Sequence, residues 1–428
     1  MSVRSFSPAA LLTAGLTALL LWATAWPQPA EAATRDFYFS RLGSEQGLSQ
    51  NSVTAFTQDV HGFVWVGTQG GLHRYDGQRY LPYRHDPRDP ASLPDSHITA
   101  LALDGQRALW IGTRSEYLAR LDLASGSIHR YGAPDSQAGR QVVALMPWRE
   151  SLLIGTLAGL ERLDPQTGTR ELLLALPSEA SRQSPWQALA QTRDGSAWLA
   201  SAAGLHRILP SGKVERIGAA IALRSVMIDR RGRLWAGGAD GLYRLDGHTG
   251  ILVKVEDEAL SALRDARAIV EAPDRRIWIS GYGNGLYRHD PDSGHTQRVH
   301  AESGVEATLP EDTINALMVD HGGLLWAGGQ FRGAAVADPR GTRFSYVLDL
   351  DDDRGRGSAS DASVRSLAQD DSGAIWIGTD SARLRRYDLS GDRFQDLTGL
   401  LPTAARQGPI GAIAREPDVA AAPRHQRG

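Results

Sequence analysis

Three short segments of this chain combine aromatic rings with groups that bind anions or hydroxyls: Arg114-Ser115-Glu116-Tyr117, Tyr282-Gly283-Asn284 and Gln330-Phe331-Arg332. A ring face stacks on a sugar, a guanidinium forks onto a carboxylate, and an amide pairs with hydroxyls. Arg114, Tyr117, Tyr282, Asn284, Phe331 and Arg332 are therefore the candidate ligand-binding residues, for a carbohydrate or an acidic small molecule. Ordinary loop variation is the competing explanation. Equivalent positions elsewhere are small, as at Gln69-Gly70, Leu157-Ala158, Ala202-Ala203 and Ala239-Asp240.

Other chemistry is hard to find. The 12 His are scattered, no His-Glu-x-x-His occurs, and no Gly-rich loop carries the Lys of a phosphate site. Asp349, Asp351, Asp352 and Asp353 suggest a calcium loop, but Gly355 stands one position late and Ser360 occupies the place of the closing Glu, so an acidic surface turn is the better reading. We expect no catalytic residue, no metal and no cofactor.

The elements that must position the candidate residues are repeats. Trp65-Val66-Gly67-Thr68 returns, lightly altered, with its first residue at Trp110, Leu153, Trp198, Trp235, Trp278, Trp326 and Trp376. From Trp65 to Trp376 is 311 residues in seven steps, a period of about 44 that lies in the range for four-stranded propeller blades. The first copy, 51–84, reads as four strands separated by Asp59-Val60-His61-Gly62, Gly70-Gly71 and Asp76-Gly77. Its second strand is a continuous apolar run, as a strand buried on both faces requires. The Trp positions are core: each fills the gap between blades, worth roughly 2–3 kcal/mol by area, and the Gly two residues on lets backbones approach. The spacing Asp59-x-x-Gly62-x-x-Trp65 recurs before Trp235, Trp326 and Trp376 as a structural turn. In such a ring the turn after the Trp strand shares one rim with the inter-blade connections, which makes that face the default ligand site.

Composition agrees. The chain has 428 residues, 46 Gly, 11 Trp, no Cys and a formal net charge of −3, so disulfide chemistry is excluded and nucleic acid is an unsuitable partner. Residues 1–32 read as a signal peptide: Arg4, an apolar run over 9–26, breaker prolines and Ala30-Glu31-Ala32, with cleavage between Ala32 and Ala33. The expected location is the periplasm.

The unit Val53-x-x-Phe56-x-x-Asp59-x-x-Gly62-x-x-Trp65-Val-Gly-Thr68-x-x-Gly71-Leu72-x-Arg74-Tyr75-Asp76 resembles the two-component regulator propeller repeat. Gly47-Leu48-Ser49-x-Asn51-x-Val53 resembles the start of the periplasmic sensor region in that family. The likeness covers residues 37–414. It implies the ligand-sensing region of a membrane-bound signalling protein whose output is a histidine kinase or a diguanylate cyclase, joined through a membrane helix. No kinase or cyclase motif and no second apolar span is present here. A ninth repeat begins at Pro409 and stops before its Trp, so we expect the front part of a longer protein.

The expected fold is all-β: a seven-bladed β-propeller over 33–346, the first blade and start of an incomplete second propeller over 347–418, and a disordered tail over 419–428. Residues 37–41 would lend the outer strand that locks the last blade. A single eight-bladed propeller is the alternative. The expected function is a non-catalytic, periplasmic ligand-binding sensor for a small molecule or carbohydrate, touching the membrane only through a missing C-terminal region and forming a homodimer in its full-length form. A periplasmic propeller hydrolase or lyase acting on polysaccharide, and a protein-binding scaffold, are the alternatives.

Overall fold

Eight four-stranded antiparallel sheets follow one another along the chain, and each except the seventh uses four strands consecutive in sequence. The structure, a computed structural model, describes residues 37–105, 107–132, 134–177, 187–302, 308–341, 363–388, 393–403 and 408–413. The leader with Ala32 and Ala33, the acidic run at 349–353 and the tail at 419–428 lie outside the described residues. Two compact units result: one spans 36–343 and holds seven sheets, the other contains the eighth.

Within the first unit the strand order follows the repeat. Sheet one consists of Val53–Gln58, Val64–Thr68, Gly71–Tyr75 and Tyr80–Tyr83. Its second strand is buried at every position, as its unbroken apolar pattern requires. Trp65 packs on Leu109, Ile111 and Leu121 of sheet two. Trp110 does the same on Val142, Leu152 and Ile154 of sheet three. The pattern continues to Trp326, which packs on Val53, Val64 and Val66 of sheet one. Where Leu153 replaces the Trp, Trp148 fills the gap between sheets three and four, donating its indole N–H to Gly195 O at 2.9 Å.

The small residue two positions after each Trp, most often Gly, marks where the next sheet enters. A Cβ on Gly67 would stand 2.8 Å from Ile98 Cγ2, and one on Gly328 only 2.6 Å from Val53 Cγ1. The seventh sheet therefore presses on the first by the same contact that joins the first to the second. Asn315 Nδ2 donating to Val53 O at 3.3 Å, and His321 N to Gln58 Oε1 at 2.6 Å, tie the same seam. The fourth strand of sheet seven comes from the start of the chain: Ser40–Leu42 pairs antiparallel with Ala334–Ala337, Arg41 opposite Ala335. The lent strand begins slightly later than the sequence suggests, because Phe37 and Phe39 turn inward; the Phe37 ring meets Trp278 edge-on at 5.0 Å.

The second unit repeats the design once. Val364–Gln369, Ile375–Thr379, Leu384–Asp388 and Arg393–Asp396 form its sheet. Ser366 Oγ donates to Ile410 O at 2.7 Å, matching Thr54 Oγ1 to Ile98 O at 2.7 Å in the first unit. Ile410 is thus seated on the eighth sheet as the first strand of a following repeat would be.

Candidate functional site

Within the first unit the first strands of neighbouring sheets pack on one another, and there the side-chain alternation is broken in a regular way. Val53–Gln58, Ile98–Asp104, Val142–Trp148, Leu223–Ile228 and Ile314–Val319 each carry a register shift one residue after their start. The skipped residues are Thr54, Thr99, Val143, Arg224 and Asn315. A bulge leaves its extra residue unpaired and re-aims the side chain. Gln187 and Arg267 hold the same place just before the fourth and sixth sheets, eleven residues ahead of Trp198 and Trp278. Sequence reasoning missed this set. The signal was available as the residue ten or eleven positions before each Trp or its Leu replacement, which varies between Thr, Val, Gln, Arg and Asn while its neighbours are mostly apolar or small.

Four of these residues converge. Thr54, Thr99, Val143 and Asn315 line a pocket of about 260 Å³ together with Gln69, His97, Arg114, Gln141 and Gln330. Sheets seven, one, two and three all contribute. Donors dominate the lining: one guanidinium, four amides, two hydroxyls and one imidazole, and no carboxylate. Burial and the neighbouring Arg114 charge both lower the His97 pKa, opposed by Asp95. His97 is therefore neutral at pH 7. The Asp95 carboxylate is engaged elsewhere, accepting from His97 N at 2.9 Å and from Ser115 N and Oγ at 3.1 and 2.6 Å.

A polar chain supports the pocket wall. Arg267 Nη1 donates to Asn315 Oδ1 at 2.5 Å, Asn315 Nδ2 to Gln330 Oε1 at 2.7 Å, and Gln330 Nε2 to Ser52 Oγ at 3.2 Å. Arg267 in turn lies over the Tyr282 ring at 4.1 Å. Burial lowers the Arg267 pKa, and the Asp265 charge opposes it. On the adjoining first strand Arg224 Nη2 pairs with Asp265 Oδ1 at 2.6 Å.

The six candidate residues do not form one constellation. Arg114 lines the pocket. Tyr282 reaches it only through Arg267, and Asn284 lines neither this pocket nor the groove described next, its backbone carbonyl accepting from Arg298 Nε at 2.9 Å. Phe331 and Arg332 border a separate, open groove of about 810 Å³ with Tyr38, Arg41, Glu45 and Asn51, beside the lent strand. Both backbone N–H groups of that turn donate to Glu311 Oε1. Tyr117 is a correction. Its backbone turns left-handed, with φ of 67°, which sends the ring into the gap between sheets two and three, where it is fully buried. There its hydroxyl donates to Glu161 Oε2 at 2.9 Å and Arg170 lies 5.3 Å from its ring. Burial first, then the Glu161 charge, raises its pKa. Such a residue holds two sheets together and presents nothing to solvent.

These features define an all-β protein of β-propeller construction, whose variable polar side chains face a pocket among the first strands of its sheets. Three segments, residues 47–70, 92–115 and 358–381, match the two-component regulator propeller family. The fold is shared with the extracellular domain of a hybrid two-component system of B. thetaiotaomicron, with a TM-score of 0.67 and 23% identity over 85% of this chain and 49% of that one. Virginiamycin B lyase from Staphylococcus aureus superposes with a TM-score of 0.56 and 14% identity, over 71% of this chain and 99% of the lyase. A histidine kinase of Formosa agariphila is 40% identical over 63 residues, which are 15% of this chain and 5% of the kinase. The chain thus spans about half the length of the B. thetaiotaomicron domain and a small part of the kinase. Among the described residues no helix is long and apolar enough to cross a membrane.

Proposed function

We propose that this chain is the exported, ligand-binding sensor region of a transmembrane signalling protein, that 36–343 forms one complete seven-bladed ring, and that the ligand binds in the pocket lined by Thr54, Thr99, Asn315 and Arg114. The observation that carries the reading is the placement of chemistry. Scaffold residues repeat from sheet to sheet, while the bulged positions change their chemical type and four of them, Thr54, Thr99, Val143 and Asn315, converge on one concavity. The likeness to extracellular domains of two-component systems and the short match to a histidine kinase support signalling over catalysis. A ligand that binds one arrangement of such a region more tightly shifts its population, and the output follows. The periplasm is the compartment this reading requires, and the output lies on a longer polypeptide.

The test is a thermal-shift screen of the full chain against sugars, organic acids and amino acids, repeated with Gln69→Ala and Gln141→Ala. The reading expects at least one solute to raise the melting temperature saturably, with the effect reduced in both variants. A screen without any stabilising solute, or one whose hits ignore both substitutions, contradicts it.

A further inference from the structure

The pocket among the first strands has a charge and a size that narrow its occupant, granted that it is the sensor site proposed above. Its volume of about 260 Å³ falls below the range of about 300–1,000 Å³ common for drug-sized ligands, so the occupant is a single small unit rather than a chain of rings. The lining brings one formal charge, the Arg114 guanidinium, and no acid to neutralise it. Among the described residues Arg114 makes no ion pair; only its backbone N–H is engaged, with His97 O at 3.1 Å. The Asp95 carboxylate is held by Ser115 and the His97 backbone, as described, and lines no part of the pocket.

Around that charge stand Gln69, Gln141 and Thr99, while Gln330, Asn315 and Thr54 complete the wall with N–H and O–H groups that already donate to Ser52 Oγ, to Val53 O and Gln330 Oε1, and to Ile98 O. Amides and hydroxyls of this kind pair with hydroxyl groups, each as donor and acceptor. One planar guanidinium matches one carboxylate through two parallel hydrogen bonds. A phosphate dianion would need a second cation or a cradle of backbone N–H groups at a helix start, and the lining holds neither. We propose that the pocket binds a small hydroxy-carboxylate, with Arg114 on the carboxylate and the amide and hydroxyl side chains on its hydroxyl groups. His97 stands beside them on the pocket wall.

Calorimetry on the full chain tests this with D-gluconate, D-galacturonate and L-tartrate, with D-glucose and D-galactose as neutral counterparts, and with inorganic phosphate. The expected result is one-to-one binding of at least one carboxylate, about tenfold or more tighter than its neutral counterpart, and a loss of about tenfold or more in Arg114→Gln. Arg79→Gln, on an outer turn with its side chain 84% exposed, leaves affinity unchanged. Circular dichroism of Arg114→Gln should match the parent. Neutral sugars that bind equally well, with affinity lost in Gln141→Ala but kept in Arg114→Gln, overturn the carboxylate assignment and leave the pocket as the sensor site. Tighter binding of phosphate overturns the class of ligand in the same way. Carboxylate binding that is indifferent to Arg114, Gln69 and Gln141, or binding of no solute at all, removes the pocket and the functional reading together.

Discussion

Asp59 Oδ2 accepts the indole N–H of Trp65 at 2.8 Å, while its other oxygen takes the backbone N–H groups of His61 and Phe63, both at 3.0 Å. One carboxylate thus closes the turn and fixes the rotamer of the Trp that fills the gap to the next sheet. Asp229 with Trp235, Asp320 with Trp326 and Asp370 with Trp376 repeat the bond at 3.0, 2.9 and 2.9 Å. Replacing Asp59 with Ala leaves three donors without it, two of them in or near the core. Chemical denaturation should show a loss of roughly 2–4 kcal/mol, and Asp59→Asn a smaller one. A change below about 0.5 kcal/mol would mean that this carboxylate neither closes the turn nor sets the position of the Trp.

Sheet six lacks this device. Ala272 stands six residues before Trp278, whose indole N–H has no partner among the described residues. Thr192 serves Trp198 at 3.3 Å from the equivalent place. Ala272→Thr should therefore stabilise the protein by about 0.5–1.5 kcal/mol, measured by denaturant titration. Destabilisation would show that the buried site has no room for the added hydroxyl and methyl groups.

Gly328→Ala tests the contact between the seventh sheet and the first, since the new Cβ would meet Val53 Cγ1 at 2.6 Å. Overpacking of this kind costs about 1–3 kcal/mol. Gly132→Ala, where nothing lies within 4 Å and the backbone is not left-handed, is the control and should change stability by less than about 0.5 kcal/mol. Equal effects from both would contradict a tightly packed seam.

His73 makes stability depend on pH. Its ring is fully buried, and burial lowers its pKa from 6.5 to about 4. Nε2 accepts from Ser49 Oγ at 2.6 Å and from Ser49 N at 3.3 Å, which places the proton on Nδ1. Between those pH values the unfolded chain binds a proton that the folded chain refuses, so stability rises with pH through this window. The contribution is complete above 6.5 and is lost as pH falls to about 4, by up to roughly 3 kcal/mol at 1.36 kcal/mol per unit. His73→Gln should flatten that slope in melting experiments from pH 7 to pH 4. An unchanged slope would assign the acid sensitivity to other groups.

The repeats were legible because they are local. Trp65, Gly67, Gly62 and Asp59 sit within nine residues, and their spacing alone fixes strand, turn and close approach. Even the lent strand at Ser40–Leu42 followed from the count of seven, displaced by the inward turn of Phe37 and Phe39. The site was not legible to the same degree. Thr54, Thr99, Val143 and Asn315 sit on bulges, and a bulge shifts the two-residue alternation from which facing is inferred. Tyr117 misled for a related reason: it ends a polar loop, yet its positive φ returns the ring to the core.

The account turns on whether the pocket among the first strands holds the ligand. A crystal structure of the full chain with the tightest-binding solute of the carboxylate panel decides this most directly. The account predicts the solute beside Thr54, Thr99 and Asn315, its carboxylate in bidentate contact with the Arg114 guanidinium. A solute seated instead in the groove between Phe331, Arg332 and Tyr38, with the pocket holding water alone, would contradict it.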